Sequence, residues 1–250
     1  MRNLLIVSCL MALINLVSAA NITVFAASSL TEAFSTVAAV FETQHPGTNV
    51  TLNFSGSSIL SSQLLQGAPA DVFASADETQ MTRIIDAGLT ITIPKVFALN
   101  LLSIITPVHS NLVSPKDLQA ESGILLVLAT PEVPAGRYAR QLLTRLEKIY
   151  GVGFSQKVLS NLVSEEISVR QAAAKVMLDE ADVTIVYRSD LHNLQGVKQL
   201  PIPEGLSPVA RFPIALLSNG RNPELAIKFI DFVLSSPGQN IISQYGFISP

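Results

Sequence analysis

Short apolar segments and amphipathic helical patterns alternate along this chain from residue 22 onward. Each of the first three apolar segments is predicted to be a strand, and a helical pattern follows each of them at once. These segments lie at 22–26, 49–54 and 71–74. In the first helical pattern, Leu30, Phe34 and Phe41 recur at a spacing that places them on one face. The alternation predicts parallel sheets with helices packed against their faces.

A second set of strand and helix patterns begins near Asn100. Two such sets in a chain of 250 residues predict two lobes. We expect the first lobe to comprise residues 21–99 and 213–250, and the second residues 100–212. The crossings between them, near Asn100 and near Phe212, are short and suit a hinge. The later elements are predicted as a helix at 137–150, a short strand at 158–159, a helix at 167–178 and a last helix at 223–234 that leads to a tail.

The first twenty residues have the organisation of a secretory signal peptide. Residues 1–3 supply a positive start, residues 4–17 an apolar stretch, and residues 18–20 the small side chains of a cleavage site. The apolar stretch is too short to span a bilayer. We therefore expect an exported protein, periplasmic or otherwise extracytoplasmic, that is cleaved near Ala19-Ala20.

Charge and cysteine usage argue against several classes of function. Of the 16 basic residues only Arg2 lies in residues 1–20, and none of the 19 acidic residues does, so the remainder carries a net charge of −4. An acidic surface without basic clusters argues against nucleic acid or an anionic membrane as a partner. The only cysteine, Cys9, also lies in this segment, which leaves the remainder without disulfide or thiolate chemistry. Lipidation of Cys9 stays open, because Ile6-Val7-Ser8-Cys9 resembles a lipoprotein box but lies early in the apolar stretch.

Four places combine the end of a strand-like segment with the start of a helix. These corners are Ser28-Ser29, Ser57-Ser58, Pro134-Ala135-Gly136 and Ser168-Val169-Arg170. Each offers hydroxyl or backbone N–H donors at the positive end of a helix dipole. Ligands of open parallel sheets bind beyond the carboxyl ends of the strands, so the corners of both lobes are expected to converge on one cleft. Neither 24–34 nor 53–60 contains Lys, Arg or His, which predicts an anion held by neutral dipoles.

Two further residues lie close to these corners. Tyr187 ends the strand predicted at 181–187, where its phenol is placed to donate one more hydrogen bond. Arg137 directly follows a corner, and we expect it to face solvent, outside the site. A single corner is ordinary, because a serine at a helix start is most often a plain N-cap. The binding-site hypothesis depends on the four corners occurring together.

Other reactive side chains lack the spacing that catalysis or metal binding needs. Asp71 and Asp77 are six residues apart on extended chain, about 20 Å, which is too far for two carboxylates to flank one bond. Asp77 is instead expected to cap the helix that begins at Glu78. The histidines, at 45, 109 and 192, are scattered and have no metal-ligand spacing. The sequence contains no GxSxG, Walker A or GxGxxG motif.

Five segments carry a family resemblance. They are Val-Phe-Ala-Ala-Ser-Ser-Leu-Thr at 24–31, Phe-Ser-Gly-Ser-Ser-Ile-Leu at 54–60, Gly-Ala-Pro-Ala-Asp-Val-Phe-Ala-Ser-Ala-Asp at 67–77, Pro-Glu-Val-Pro-Ala-Gly at 131–136 and Ile-Val-Tyr-Arg-Ser-Asp at 185–190. With them, the chain from Ile22 to the terminal Tyr245-Gly-Phe-Ile resembles the periplasmic molybdate-binding proteins of ABC transporters. The resemblance implies an α/β, type II periplasmic-binding-protein fold. In such a fold each lobe is a mostly parallel sheet flanked by helices, and the ligand lies in the cleft between the lobes.

The resemblance also implies a ligand, a site and partners. It implies molybdate, and tungstate as well, held by five groups, with molybdenum present only as the oxyanion and bound to no protein atom. The five groups are the hydroxyls of Ser29, Ser57 and Tyr187 and the backbone amides of Ala135 and Val169. Ser28 and Ser58 are additional candidate contacts. The implied partner is a membrane permease, and we expect a monomer that needs no cofactor and is not an enzyme.

Departures from the family pattern keep other readings open. Ser28 stands where many relatives have alanine, Arg137 stands where they often have an apolar residue, and the loop before Pro134 looks one residue short. The choice among molybdate, tungstate and another oxyanion such as sulfate therefore stays open. A less favoured alternative is an exported serine hydrolase, which needs a histidine base near one of the serines.

Overall fold

The computed structural model describes residues 20–120 and 123–250, so the signal peptide predicted at 1–20, with Cys9, lies outside them except for Ala20. The strands are β1 (Ala20–Ala27), β2 (Thr48–Ser55), β3 (Val72–Ala74), β4 (Lys95–Asn100), β5 (Leu102–Pro107), β6 (Leu126–Ala129), β7 (Leu162–Glu166), β8 (Val183–Tyr187), β9 (Val197–Leu200) and β10 (Ala210–Leu216). The helices are α1 (Thr31–Gln44), α2 (Ser57–Leu65), α3 (Glu78–Asp86), α4 (Pro134–Tyr150), α5 (Phe154–Leu159), α6 (Val169–Met177), α7 (Pro223–Leu234) and α8 (Ser236–Gln244). Within the described ranges, no helix combines the length and apolar character that crossing a membrane requires.

Two five-stranded sheets organise the chain. The strand order is β2-β1-β3-β10-β4 in the first sheet and β7-β6-β8-β5-β9 in the second. In each sheet three adjacent strands run parallel and the other pairings are antiparallel. The α/β class is thus as predicted, with parallel pairing confined to three strands per sheet. We call the parts of the chain built on these sheets the first and the second lobe.

The chain passes between the lobes at two places. β4 ends at Asn100 and β5 begins at Leu102, while the return is made before β10 begins at Ala210. β10 belongs wholly to the first sheet, so the return comes three residues before the predicted boundary at 213. The two passages are joined, because the Leu102 N–H donates to Ser207 Oγ at 2.9 Å.

Helix α1 packs through the face that the sequence predicted. Phe34 and Phe41 are both fully buried. The ring of Phe34 lies 5.5 Å from that of Phe97 and 6.1 Å from that of Phe229, and Phe41 lies 5.4 Å from Phe229. These contacts join α1 to β4 and α7, and so fasten the C-terminal part of the chain to the first lobe.

Four elements differ from the prediction, and one of them is strand β4, where no strand was predicted. Val158 and Leu159 end helix α5, where Val158 is buried one turn beyond the buried Phe154, and they form no strand. The neighbouring strand β7 was not predicted, because its burial alternates only between half-buried and exposed positions. Helix α8 replaces part of the predicted tail, and Ser235 caps it by accepting the Gly238 N–H at 3.3 Å.

We expect Phe34→Ala to lower the free energy of unfolding by about 3–5 kcal/mol, because it removes a fully buried ring from between two others. Urea denaturation of the two proteins measures the difference. Val152→Ala is the control: this side chain is 99% exposed, and its loss should change stability by less than about 0.5 kcal/mol. Equal losses in both variants would contradict the assignment of this core.

Candidate functional site

The four predicted corners meet at one small cavity between the lobes. The cavity is small, with about 190 Å³ of empty space that includes its opening to solvent. Its lining is formed by Ala27, Ser28, Ser29, Gly56, Ser57, Ala76, Val133, Pro134, Ala135, Val169 and Tyr187. Every one of these described residues is small, apolar or hydroxyl-bearing, and none of them is charged. The cavity is therefore uncharged at its wall.

The structure brings together most of the residues that the sequence singled out. All five principal residues and Ser28 line the cavity, whereas Ser58 does not. The Ser58 carbonyl instead accepts the hydroxyls of Ser61 and Ser62, at 3.0 and 2.8 Å. The sequence reading missed Ala76, although it lies where β3 gives way to α3. The same strand-to-helix rule, applied there, would have found it.

Three hydroxyl groups reach the cavity with a hydrogen to donate. Ser57 Oγ accepts the Ala76 N–H at 3.0 Å, so its own hydrogen remains for another acceptor. The Ser29 hydroxyl and the Tyr187 phenol are buried, and neither has a hydrogen-bond partner among the described residues. Buried hydroxyls normally find partners, so two unpaired ones in a common wall indicate a ligand that accepts hydrogen bonds.

Tyr187 is held as a donor by its surroundings. Its ring lies 5.4 Å from that of Phe212 and 6.4 Å from that of Tyr138. Burial raises the pKa of the Tyr187 phenol well above its ordinary value, because the phenolate would be poorly solvated there. The phenol therefore keeps its proton throughout the neutral pH range.

Helix α4 offers a backbone donor because of the order of its first residues. Pro134 occupies the first position, where the missing N–H is not needed, and the Ala135 N–H lies in the first turn, without an intrahelical acceptor. Gly136 lets this turn lie directly on the end of β6. A Cβ there would come within 2.1 Å of the Thr130 carbonyl oxygen and 2.2 Å of that of Ala129.

Helix α6 offers a second backbone donor. Ser168 is its N-cap and accepts the Gln171 N–H at 3.3 Å. The Val169 N–H, at the first helical position, is left without an intrahelical acceptor. Both second-lobe corners thus present an amide and the positive end of a helix to the cavity.

Two arginines lie beside the cavity, and both are paired with the first lobe. Arg170 donates its Nε–H to the Ser28 carbonyl at 2.5 Å and forms an ion pair with Glu32. Arg137 forms an ion pair with Asp77. The expectation that Arg137 faces solvent is therefore wrong: its side chain is 27% exposed and contacts a carboxylate of the other lobe. The positive charges near the site join the lobes.

The remaining titratable candidates have structural roles or lie elsewhere. Asp77 caps α3 as predicted, and Asp71 accepts the N–H groups of Thr23, Arg221 and Asn222 at 2.6–2.8 Å. None of the three histidines lines the cavity. In residues 20–120 and 123–250, no group of His, Cys, Asp and Glu side chains is arranged to hold a metal ion.

Asp190 supports Tyr187 from behind. Its Oδ2 accepts the Tyr187 N–H at 3.0 Å, while its Oδ1 is buried without a partner among the described residues. Burial raises the pKa of this carboxyl from 3.8 to about 7, although the Tyr187 N–H and the nearby Arg170 oppose the shift. The carboxyl is therefore protonated over part of the range in which other aspartates are charged.

Two α/β lobes around a small, uncharged cavity lined with donors define a protein that binds a solute without transforming it. The family described as bacterial extracellular solute-binding protein matches residues 22–248, and the chain belongs to this family. It is a family of binding proteins of transport systems, not of enzymes, and its members act outside the cytoplasm on a small solute handed to a membrane permease. The predictions of class, fold and export are confirmed at this level.

Individual relatives refine the comparison. The molybdate-binding protein ModA of Mycobacterium tuberculosis is 37% identical over 238 residues, covering 93% of this chain and 86% of the relative. The structure of the substrate-binding domain of a putative molybdenum ABC transporter from Clostridium difficile is 29% identical, with a TM-score of 0.69, and the match covers 92% of this chain and 99% of that one. The sulfate-binding protein SubI of Mycobacterium tuberculosis has a TM-score of 0.81 at 18% identity, covering 92% and 87% of the two chains, and shares the fold.

We expect stability to fall with rising pH between about 4 and 7 because of Asp190. In this window the unfolded chain has released the proton that the folded protein keeps, and above it the folded carboxylate is charged and buried. Asp190→Asn removes this loss of stability. The difference in unfolding free energy between the variant and wild type should therefore rise with pH up to about 7 and then level off. The expected gain is on the order of a few kcal/mol. Denaturation at a series of pH values measures it. A difference independent of pH would contradict the assignment.

We expect Gly56→Ala to keep the lobes apart. The backbone of Gly56 has φ −59° and ψ 136°, which alanine adopts without strain, but its Cβ would lie 2.4 Å from the Ile167 carbonyl oxygen of the other lobe. Small-angle X-ray scattering should give a larger radius of gyration than for wild type. An unchanged thermal unfolding temperature is the control that the first lobe remains intact. An unchanged radius would contradict this close approach.

Proposed function

We propose that this protein is the extracytoplasmic substrate-binding component of an ABC importer, which captures molybdate, and also tungstate, between its lobes and delivers it to a membrane permease. The observation that carries the proposal is the uncharged cavity with three donor hydroxyls and two helix starts. It occurs in a chain 37% identical to a relative named as a molybdate-binding protein. The cavity performs capture, with no covalent step.

In this proposal the five groups implied by the resemblance bind the ligand. Oxygens of the anion accept hydrogen bonds from the hydroxyls of Ser29, Ser57 and Tyr187 and from the backbone N–H groups of Ala135 and Val169. Ser28, which also lines the cavity, is an additional contact. Molybdenum enters only inside the oxyanion, since the wall supplies donors and no metal ligand.

Neutral donors are sufficient to hold a dianion if several act together. Hydrogen bonds to a charged group contribute roughly 1.5–3 kcal/mol each. Five of them, less the cost of desolvating the anion and ordering the lobes, support binding at about −8 kcal/mol or better, which corresponds to micromolar dissociation constants. The helix starts add a favourable potential that does not depend on a titrating side chain.

A wall of donors also selects among anions. A phosphate that carries a proton has one oxygen that is a weaker acceptor for these donors, and a smaller anion such as sulfate leaves longer hydrogen bonds. The fold itself does not make this choice, since SubI, named as a sulfate-binding protein, shares it. A binding protein for sulfate is accordingly the second candidate function.

Closure of the cleft, in which the two lobes move towards each other, brings the donors of the two lobes together. We propose that residues 21–99 and 213–250 move against residues 100–212, with the second boundary shifted to Ala210 by the course of β10. The two joined passages act as the hinge. The protein works as a monomer after its signal peptide is cleaved near Ala19-Ala20, and the closed form is the one presented to the permease.

We expect Ser29→Ala and Ser57→Ala each to weaken molybdate binding tenfold or more, about 1.4 kcal/mol, because each removes a donor to a charged ligand. Isothermal titration calorimetry measures the affinity. Ser62→Ala is the control, since Ser62 lies on α2 with Ser57 but its hydroxyl donates to the Ser58 carbonyl and not to the cavity. Unchanged affinity in both test variants would refute the site.

Competition separates the candidate ligands. Molybdate should be displaced by tungstate at comparable concentration and by sulfate only in large excess. Tight sulfate binding without molybdate binding would favour the second candidate. The hydrolase alternative fails unless ester substrates are turned over, and the absence of histidine from the cavity wall argues against it.

A further inference from the structure

An ion pair between the lobes lies directly beside the cavity without lining it. In the first lobe Ala76 lines the cavity, and Asp77 follows it as the N-cap of α3. In the second lobe Ala135 lines the cavity, and Arg137 follows two residues later on α4. Because Asp77 and Arg137 are paired, the two helix starts are joined at the edge of the proposed site.

The first lobe holds its half of this contact in place by itself. Asp77 is only 2% exposed, its Oδ1 accepts the Gln80 N–H at 2.9 Å, and its own N–H donates to Ser75 Oγ at 3.2 Å. The Gln80 Oε1 accepts from Ser61 Oγ at 2.7 Å and from Arg83 Nη1 at 2.8 Å. All of these bonds lie within the first lobe, so they do not depend on closure.

The second lobe supplies the partners. Gln80 Nε2 donates to the Glu132 carbonyl at 3.0 Å, next to the ion pair. Arg137 lies near the start of α4, where the helix dipole disfavours a cation, and burial lowers its pKa. The carboxylate of Asp77 is the opposite charge that Arg137 contacts, and it is within reach only when the lobes are together. The arrangement therefore favours the closed form.

We propose that Asp77, Gln80 and Arg137, with the Glu132 carbonyl, form an interlobe latch that prolongs the closed, ligand-bound state. The inference rests on the proposed function, because the latch acts on a captured ligand. Asp77 and Arg137 are positioning residues, since neither lines the cavity. By occupying the Arg137 guanidinium, the latch also leaves the ligand in contact with dipoles alone.

The test removes both charges of the latch at once, in the variant Asp77→Asn/Arg137→Gln. Either change alone would leave an uncompensated charge beside a dianion and would mix two effects. Asparagine also preserves the cap of α3. The matched control is Glu166→Gln/Lys175→Gln, which removes an ion pair of 2.7 Å whose side chains are 15% and 31% exposed and which lies within the second lobe.

Stopped-flow measurements with molybdate supply the rates. We expect the double variant to release molybdate about tenfold faster than wild type, with the association rate changed less than about twofold. The control variant should match wild type in both rates. The unfolding temperature without ligand should be unchanged, since the pair forms on closure.

The outcomes separate the latch from the proposed function. Equal release rates for wild type and the double variant would overturn the latch and leave molybdate capture standing. A lower unfolding temperature without ligand, combined with an unchanged release rate, would also overturn it by assigning the pair a purely structural role. If wild type binds sulfate and not molybdate, the proposed function fails, and the same rates measured with sulfate decide the latch. A wild type that binds none of these anions overturns both.

Discussion

The binding site is built from hydrogen-bond donors that become buried on folding and find no acceptor within the described part of the protein. The hydroxyls of Ser29 and Tyr187 are buried without a partner among the described residues, and Ala135 and Val169, in the first turns of α4 and α6, line the same space. Such groups cost stability when they are left unpaired. Their concentration in one wall is intelligible if a ligand with acceptors, and no hydrogens of its own, completes their bonding. These unpaired donors lower the stability of the ligand-free protein, and hydrogen bonds to a bound ligand would restore that stability.

The cavity wall is uncharged although charged side chains lie next to it. Two arginines stand beside the site, and each is paired with a carboxylate of the opposite lobe. Dipoles thus contact the ligand and ion pairs join the lobes. A counter-ion in the wall would attract any anion, whereas fixed dipoles around a small space discriminate by shape and by proton content. The separation of these two tasks follows from the placement of four short strand-to-helix corners.

Those corners were predictable because the signals are local. A strand that ends at small or hydroxyl residues and continues as a helix is visible within ten residues of sequence, and the corners at Ser29, Ser57, Ala135 and Val169 all line the cavity. The same rule, applied at the end of β3, also leads to Ala76, which the sequence analysis did not consider. Pairing across the cleft was not predictable, since nothing near Arg137 in the sequence indicates that Asp77 will face it.

The errors in secondary structure have equally particular causes. Val158-Leu159 is an apolar pair that fits both the helical and the strand periodicity. Only the buried Phe154, one turn earlier, identifies it as part of helix α5. Strand β7 has a weak pattern because it is an edge strand with half-exposed side chains. Helix α8 did carry a start signal, the cap at Ser235 followed by Pro237, in a segment interpreted as a tail.

The course of β10 bears on the order in which the lobes can mature. The second sheet is built from one continuous segment of the chain. In the first sheet, Ala74 of β3 pairs with Ile214 of β10, a strand that follows the whole second lobe in the sequence. Because the chain is made from its N-terminus, the second lobe can fold completely before β10 is available. Until then the first lobe has an unpaired sheet edge at β3. The segment Ala210–Leu216 is thus the closing piece of the lobe that begins the protein, and any slowing of its arrival prolongs the exposure of β3.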